Sequence, residues 1–171
     1  EWVEKWSDRL TPISKVIQWV WDKVDRKIDY VKIDHWDYWS CDYTLSRIIA
    51  PLLREMKANK HSYGWIDDKD VPKELRSTAP GARKDCEEWD WDHNAEARYN
   101  WVLDEIIWAF EVKADDDYES QFYDHTESNK IEDLNESIKA LKVDRKGLDA
   151  HWKRIDNGLI LFGKYFRTLW D

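Results

Sequence analysis

Apolar residues recur along most of this chain at the three- and four-residue steps of an α-helix. Where that rhythm stops, turn residues take over. Thr11-Pro12 reads as an N-cap followed by proline at the first helical position, and Ile13, Val16, Ile17, Val20 and Val24 predict a helix over residues 12–27. Tyr30 to Asp34 alternates briefly, which predicts a short extended piece near Val31. Leu45, Ile48, Ile49, Leu52, Leu53 and Met56 predict a second helix capped by Asp42 or Thr44, with Pro51 bending or breaking it.

From Asn59 to Cys86 periodicity gives way to turn chemistry around Gly64, Val71-Pro72 and Pro80-Gly81, with one helical turn near Lys73 to Arg76. Structureless stretches longer than about 15 residues inside a compact domain are functional or disordered. The lysines and arginines of this one favour function.

Tyr99 to Val112 predicts the central helix. Val102, Ile106 and Ala109 form one apolar strip and Leu103, Ile107 and Phe110 a second, while Trp101, Glu105, Trp108 and Val112 form a third that carries a carboxylate. A helix apolar nearly all round is a buried one, so Asp104, Glu105 and Glu111 need cations, donors or a metal. Ile131, Leu134, Ile138 and Leu141 predict a further helix from Ser128 to Arg145, which Gly147 interrupts. Leu148, Trp152, Ile155, Leu159, Phe162, Phe166 and Leu169 then form a heptad seam, either intrachain core or an oligomer interface. The fold expected is all-α: a single-domain helical bundle of about five helices over residues 1–171. It carries a long irregular basic insertion at 59–86 and a C-terminal helical hairpin or long helix over 128–170.

Composition sharpens this picture in two places. Thirteen tryptophans among 171 residues far exceed ordinary usage, and tryptophan concentrates in cores, interfaces and stacking sites. The net charge of −9 is uneven: residues 85–127 carry −13, whereas residues 51–84 carry +3. A basic nucleic-acid-binding face is therefore not expected. Cys41 and Cys86 have no metal-ligand spacing and read as free thiols. No apolar run approaches the roughly 18 residues of a membrane span and no signal-peptide pattern opens the sequence, so no membrane contact and a cytoplasmic location are expected.

Several blocks carry a resemblance. Val31-Lys32-Ile33-Asp34-His35-Trp36-Asp37-Tyr38-Trp39-Ser40, Thr44-Leu45, Pro51-Leu52-Leu53, Lys60-His61 and Val71-Pro72 belong to it. So do Trp101-Val102-Leu103-Asp104-Glu105, Trp108-Ala109-Phe110-Glu111, Asn157-Gly158-Leu159, Leu161-Phe162-Gly163-Lys164-Tyr165 and Leu169-Trp170-Asp171. Together they resemble a family of small tailed-bacteriophage proteins, marine ones especially, with no assigned activity. The resemblance spans residues 31–171. It departs at Lys60-His61-Ser62, where such proteins have Lys-His-Gly and this chain places its glycine at Gly64. It implies a phage accessory protein in the cytoplasm of an infected bacterial host, and no mechanism.

Three chemistries compete for the remaining residues. Asp104, Glu105 and Glu111 with Asp34, Asp37, His35 or His93 suggest a hydrolytic metal centre, but only one helix offers such acids and no histidine pair stands one turn apart. Asp115-Asp116-Asp117 lacks the glycine of a calcium loop. A nucleotide-type ligand needs cations for phosphate and an aromatic face for a base. Lys57, Lys60, His61, Arg76, Arg83, Arg154 and Lys164 supply the first, with the Pro80-Gly81 turn aiming backbone N–H groups at an anion. Trp65, Trp101 and Trp108 supply the second, while Glu105 and Asn157 add polar contacts and helix-interior Gly158 and Gly163 permit close approach of a ligand or of another helix. The third chemistry is inhibition of a host protein through an acidic, tryptophan-rich surface. Without a nucleophile motif, a glycine-rich phosphate loop or a metal signature, the sequence favours a homo-oligomeric, non-catalytic, cofactor-free protein that sequesters a small phosphorylated or nucleotide-type ligand. A host immune signal is the plausible target, and a metal-dependent nucleotide hydrolase is the remaining alternative.

Overall fold

The computed structural model describes Lys15, residues 32–87 and residues 89–170. The helix expected over 12–27 lies, apart from a helical Lys15, outside the described residues, as do Tyr30 and Val31 of the expected extended piece. The chain divides into two compact units after His35. The second unit carries the architecture that follows.

The described residues form five helices: α1 (His35–Trp39), α2 (Cys41–Asn59), α3 (Ala95–Lys113), α4 (Leu134–Ala140) and α5 (Arg145–Tyr165). A two-stranded antiparallel ribbon pairs β1 (Tyr123–Asp124) with β2 (Lys142–Val143), placing Tyr123 opposite Val143. The class is the mainly α-helical one that the periodicity predicts.

Helix α3 is the central element, packed against α2 and against α5. Its two apolar strips are buried as expected, with Val102, Leu103, Ile106 and Ala109 at most 1 % exposed. Burying each branched side chain contributes about 1.5–3 kcal/mol, which makes this helix the energetic centre of the unit. Ala50 and Leu53 of α2 and Leu161 and Tyr165 of α5 complete the core, together with Ile66 and Val71 from the insertion. Helix α2 runs through Pro51, which lies on its exposed side.

Two expectations are corrected. The helix expected over 128–145 is broken: a 3-10 turn at Ser128–Lys130 precedes α4, and Lys142–Val143 is taken by the ribbon. Asp133 accounts for the late start, because its carboxylate accepts the Glu136 N–H at 2.9 Å and caps α4. Gly147 therefore joins neither a helical hairpin nor a rod. It sits in the first turn of α5, where Asp144 caps it at 3.0 Å. At the expected strand near Val31, the described residues Lys32–Asp34 are irregular.

The heptad seam splits along its length. Leu148 and Ile155 face the core and Phe162 and Leu169 pack against it, whereas Trp152, Leu159 and Phe166 are exposed. The face that α5 turns inward is centred to one side of the seam, so the edge with Leu148, Ile155 and Phe162 is covered and the edge with Trp152, Leu159 and Phe166 is not. The inward face is completed instead by Gly158, Leu161 and Tyr165.

Candidate functional site

The third strip of α3 is half-exposed, and its acids draw cations from both neighbouring helices. Glu105 takes the fork of Arg154 from α5, with Nε at 3.0 Å and Nη2 at 2.8 Å. Asp104 pairs with Lys57 and Glu111 with Arg54, both from α2. Trp108 lies among them, with the Arg154 guanidinium 3.9 Å from its ring centroid. The hydrogen bond to Glu105 holds Arg154 above its ordinary pKa. Of the sequence-predicted residues, Lys57 and Trp108 line an open groove of about 460 Å³, while Arg154, held by Glu105, covers the Trp108 ring from α5. Three cations face three carboxylates, however. A phosphate entering there would compete with an acid for every cation, and Arg154 already occupies the indole face. The strip is a charge-balanced lock between α2, α3 and α5.

His151 backs the same tryptophan, boxed by Trp108, Tyr118 and Phe122 at centroid distances of 5.1–5.9 Å. Its Nε2 is buried without a hydrogen-bond partner. Leaving a polar group so costs about 1–3 kcal/mol. Replacing His151 with Phe keeps the ring packing and removes that cost, so the variant is expected to melt at or above the wild-type temperature. Replacing it with Ala should lower the melting temperature.

Other predicted ligand residues fasten the chain together. Lys60 bonds Glu96 at 2.9 Å. Lys164 bridges Asp67 and Asp70, while the Tyr165 hydroxyl donates to Asp70 at 2.5 Å and accepts the Asp67 N–H at 3.0 Å. Burial pulls the Lys164 pKa down, but its bonds to Asp67, Asp70 and Tyr165 outweigh that and raise it. Trp101 packs against the core. Asn157 is exposed on α5, and His61 is exposed where the insertion begins.

Sequence reading overlooked the residue that organises the insertion. Arg98, 1 % exposed, lies in the first turns of α3 and grips Asp92 with two hydrogen bonds of 2.7 Å. Its Nη1 also donates to the Leu75 carbonyl at 3.1 Å, and its Nε stands 3.7 Å from Asp68. Asp68 in turn accepts both the N–H and the hydroxyl of Ser77. His93 N–H donates to Ala82 O at 2.8 Å, and Ala82 is buried. The insertion is therefore an ordered wrap anchored on α3. The legible signal was an arginine standing immediately before the apolar helix predicted from Tyr99.

Anchored this way, the wrap presents a second concavity of about 330 Å³, lined by Trp65, Ser77, Arg83, Trp89, Asp90, Trp91 and Asp92. Trp91 is braced by Tyr63, edge-on at 5.2 Å, and by Trp65 at 5.9 Å. The Trp65 indole N–H points to Asp67 at 3.3 Å. Arg83 donates to the carbonyl of Glu87 at 2.6 Å, closing the turn that carries Trp89. The bond from Arg98 holds the Asp92 carboxyl below its ordinary value of 3.8, so it stays ionised. Arg76 lies outside the lining and donates to Val71 O at 3.3 Å. In the Pro80-Gly81 turn, with Gly81 at φ +83°, the Ala82 N–H donates to the Ala79 carbonyl and the Lys84 N–H to the Gly81 carbonyl.

Two catalytic constellations are weakened by the same geometry. Cys86 Sγ lies 3.6 Å from His93 Nε2, but that nitrogen is 2.8 Å from the Lys84 carbonyl. A nitrogen donating its proton to a carbonyl cannot also accept one from a thiol. Cys41 and Cys86 are free thiols, as expected. Among the described residues no three histidines, cysteines or carboxylates converge as metal ligands, and the α3 acids expected to form such a centre hold cations instead. No helix among the described residues is long and apolar enough to cross a membrane. No protein-family model, curated protein or solved structure matches this chain.

Proposed function

We propose that this chain binds and sequesters a small nucleotide-type ligand in the tryptophan-walled pocket of the insertion. The observation that carries the reading is the convergence of Trp65, Trp89, Trp91 and Arg83 around one concavity on a loop pinned by a buried ion pair. Every nucleobase has a π face, and stacking on an aromatic side chain is worth about 1–3 kcal/mol. Asp90 can accept a base N–H, and Arg83 can meet a phosphate. Arg83 is the one cation in a lining that also holds Asp90 and Asp92, so a nucleoside or monophosphate suits the pocket better than a triphosphate. The volume, about 330 Å³, is at the small end for ligand sites and matches a base with its ribose.

Binding is favoured over turnover because Asp92 is committed to Arg98 and the adjoining His93 Nε2 to a carbonyl, while Asp90 accepts the Glu87 N–H. Joined to the phage resemblance, this suggests a homo-oligomeric accessory protein that withdraws a signalling nucleotide in an infected host. Calorimetric titration with nucleosides and mono-, di-, tri- and cyclic nucleotides tests it. One class should bind, and Trp65→Ala and Trp91→Ala should each weaken it about tenfold or more without lowering helix content. A panel that binds nowhere, or binds these variants unchanged, would refute the reading.

A second reading rests on Trp89, 81 % exposed beside Trp65 and Trp91. Exposed aromatic clusters of this kind also anchor protein partners. A silent nucleotide panel, together with a basic host protein whose co-purification Trp89→Ala abolishes, would favour it.

A further inference from the structure

The outer face of α5 carries a pattern that neither the core nor the tryptophan pocket uses. At 100° per residue, Asp156, Ile160 and Gly163 fall within roughly 60° of one another, with Ile160 and Gly163 open to solvent and Asp156 at the rim of a groove it shares with Lys113 of α3. Arg167 follows one turn later, exposed in the 3-10 turn Phe166–Thr168. Ile160 is 67 % exposed and Phe166 62 %, flanked by exposed Leu159 and Trp152. The two interior glycines of the helix differ in kind. A side chain at Gly158 would strike Ala109 and the Glu105 carbonyl, whereas a side chain at Gly163 would meet nothing within 4 Å. Intrachain packing thus accounts for Gly158 and leaves Gly163, a helix-weakening residue in open space, without a partner.

We propose that this face binds a second copy of the chain, with the two α5 helices antiparallel about a two-fold axis passing between Leu161 and Phe162. That register is the one in which the surface complements itself. It sets Ile160 of each copy opposite Gly163 of the other, an apolar knob into a hole without a Cβ. It also sets Asp156 opposite the partner's Arg167, twice, by symmetry. Isologous contacts require such reciprocal pairs, and few helix faces supply an apolar match and a charge match in one register. Leu159 and Phe166 border the seam and add apolar area. A parallel arrangement or a shift of one turn would separate Asp156 from Arg167 and face Ile160 with side chains rather than with the glycine.

Sedimentation of the full chain over a hundredfold concentration range tests the proposal. The wild type should pass from monomer to dimer within that range. Asp156→Arg should raise the dimer dissociation constant about tenfold or more by placing like charges opposite each other, and Arg167→Asp should do the same. The double variant Asp156→Arg with Arg167→Asp should restore it, an outcome that general loss of structure cannot produce. Gly163→Leu should abolish the dimer while circular dichroism stays unchanged. A wild type that remains monomeric at every concentration would overturn the proposal, and so would a dimer indifferent to both charge reversals. Loss of stability in monomeric Gly163→Leu would also contradict it, assigning the face to another segment of the same chain.

Discussion

Replacing Arg98 with Met is expected to cost about 3–5 kcal/mol of unfolding free energy, the largest single effect in the described residues. The side chains of Arg98 and Asp92 are 2 % and 4 % exposed, and their two hydrogen bonds of 2.7 Å are charge-assisted. Removing the cation leaves a buried carboxylate with only the Asn94 N–H at 3.0 Å. It also releases the Leu75 carbonyl and the approach to Asp68, so the wrap over 67–94 loses its anchor. Breaking such a pair costs more than deleting it, so adding Asp92→Leu to the Arg98 variant should recover part of the loss.

The pH dependence follows in sign. Asp92 has a folded pKa below its ordinary 3.8, held there by Arg98. Its contribution is therefore complete above that value and is lost as pH falls through the lowered one. Denaturant unfolding at pH 7 and again near pH 3 should show a gap between wild type and Arg98→Met that narrows in acid. A loss below 1 kcal/mol at pH 7 would make the ion pair incidental.

Gly158→Ala should destabilise by about 1–3 kcal/mol, even though alanine is the better helix former by about 1 kcal/mol. An added Cβ would lie 2.5 Å from the Ala109 Cβ and 2.7 Å from the Glu105 carbonyl oxygen. Carbon atoms in contact sit about 3.5–4.0 Å apart, and a carbonyl engaged in the α3 ladder cannot retreat without breaking its bond. Helix α5 must move off α3, loosening the Ile155, Leu161 and Tyr165 contacts and dragging Arg154 from Glu105. Thermal melts of Gly158→Ala against Gly163→Ala, at concentrations that keep the chain monomeric, isolate this effect. The first should lose stability. The second should gain up to about 1 kcal/mol.

What the sequence disclosed followed from periodicity. The apolar strips of Tyr99–Val112 named the buried helix and its core residues, and its acids Asp104, Glu105 and Glu111 foretold arginines and lysines from neighbouring elements. Arg54, Lys57 and Arg154 are those partners. Exposure was harder to read. The carboxylates once counted as buried lie at a rim, because α2 and α5 cover two sides of α3 and leave the third strip half open. Ile131 to Leu141 has helical spacing, yet the Asp133 cap and the ribbon at Lys142–Val143 override it, and neither shows in an apolar count.

The candidate site was legible only in fragments. Arg83 and Trp65 were named, while Trp89 and Trp91 stayed hidden inside an acidic, aperiodic run. Their convergence depends on the fold of the wrap, which depends on Arg98 meeting Asp92 and Leu75. Contacts that reach from 67–92 to the start of α3 leave no periodic trace. Lysines and arginines looked available because their partners, Glu96, Asp67 and Asp70, come from other elements.

The central claim is that the tryptophan pocket holds a nucleotide-type ligand. Its most direct test is mass spectrometry of small molecules released by heat from the full chain purified from bacterial cells, with Trp65→Ala/Trp91→Ala prepared alongside. The wild type should release an intact nucleoside or nucleotide near one per chain, and the double variant little. A wild type that releases none, or a double variant that releases as much, would contradict it.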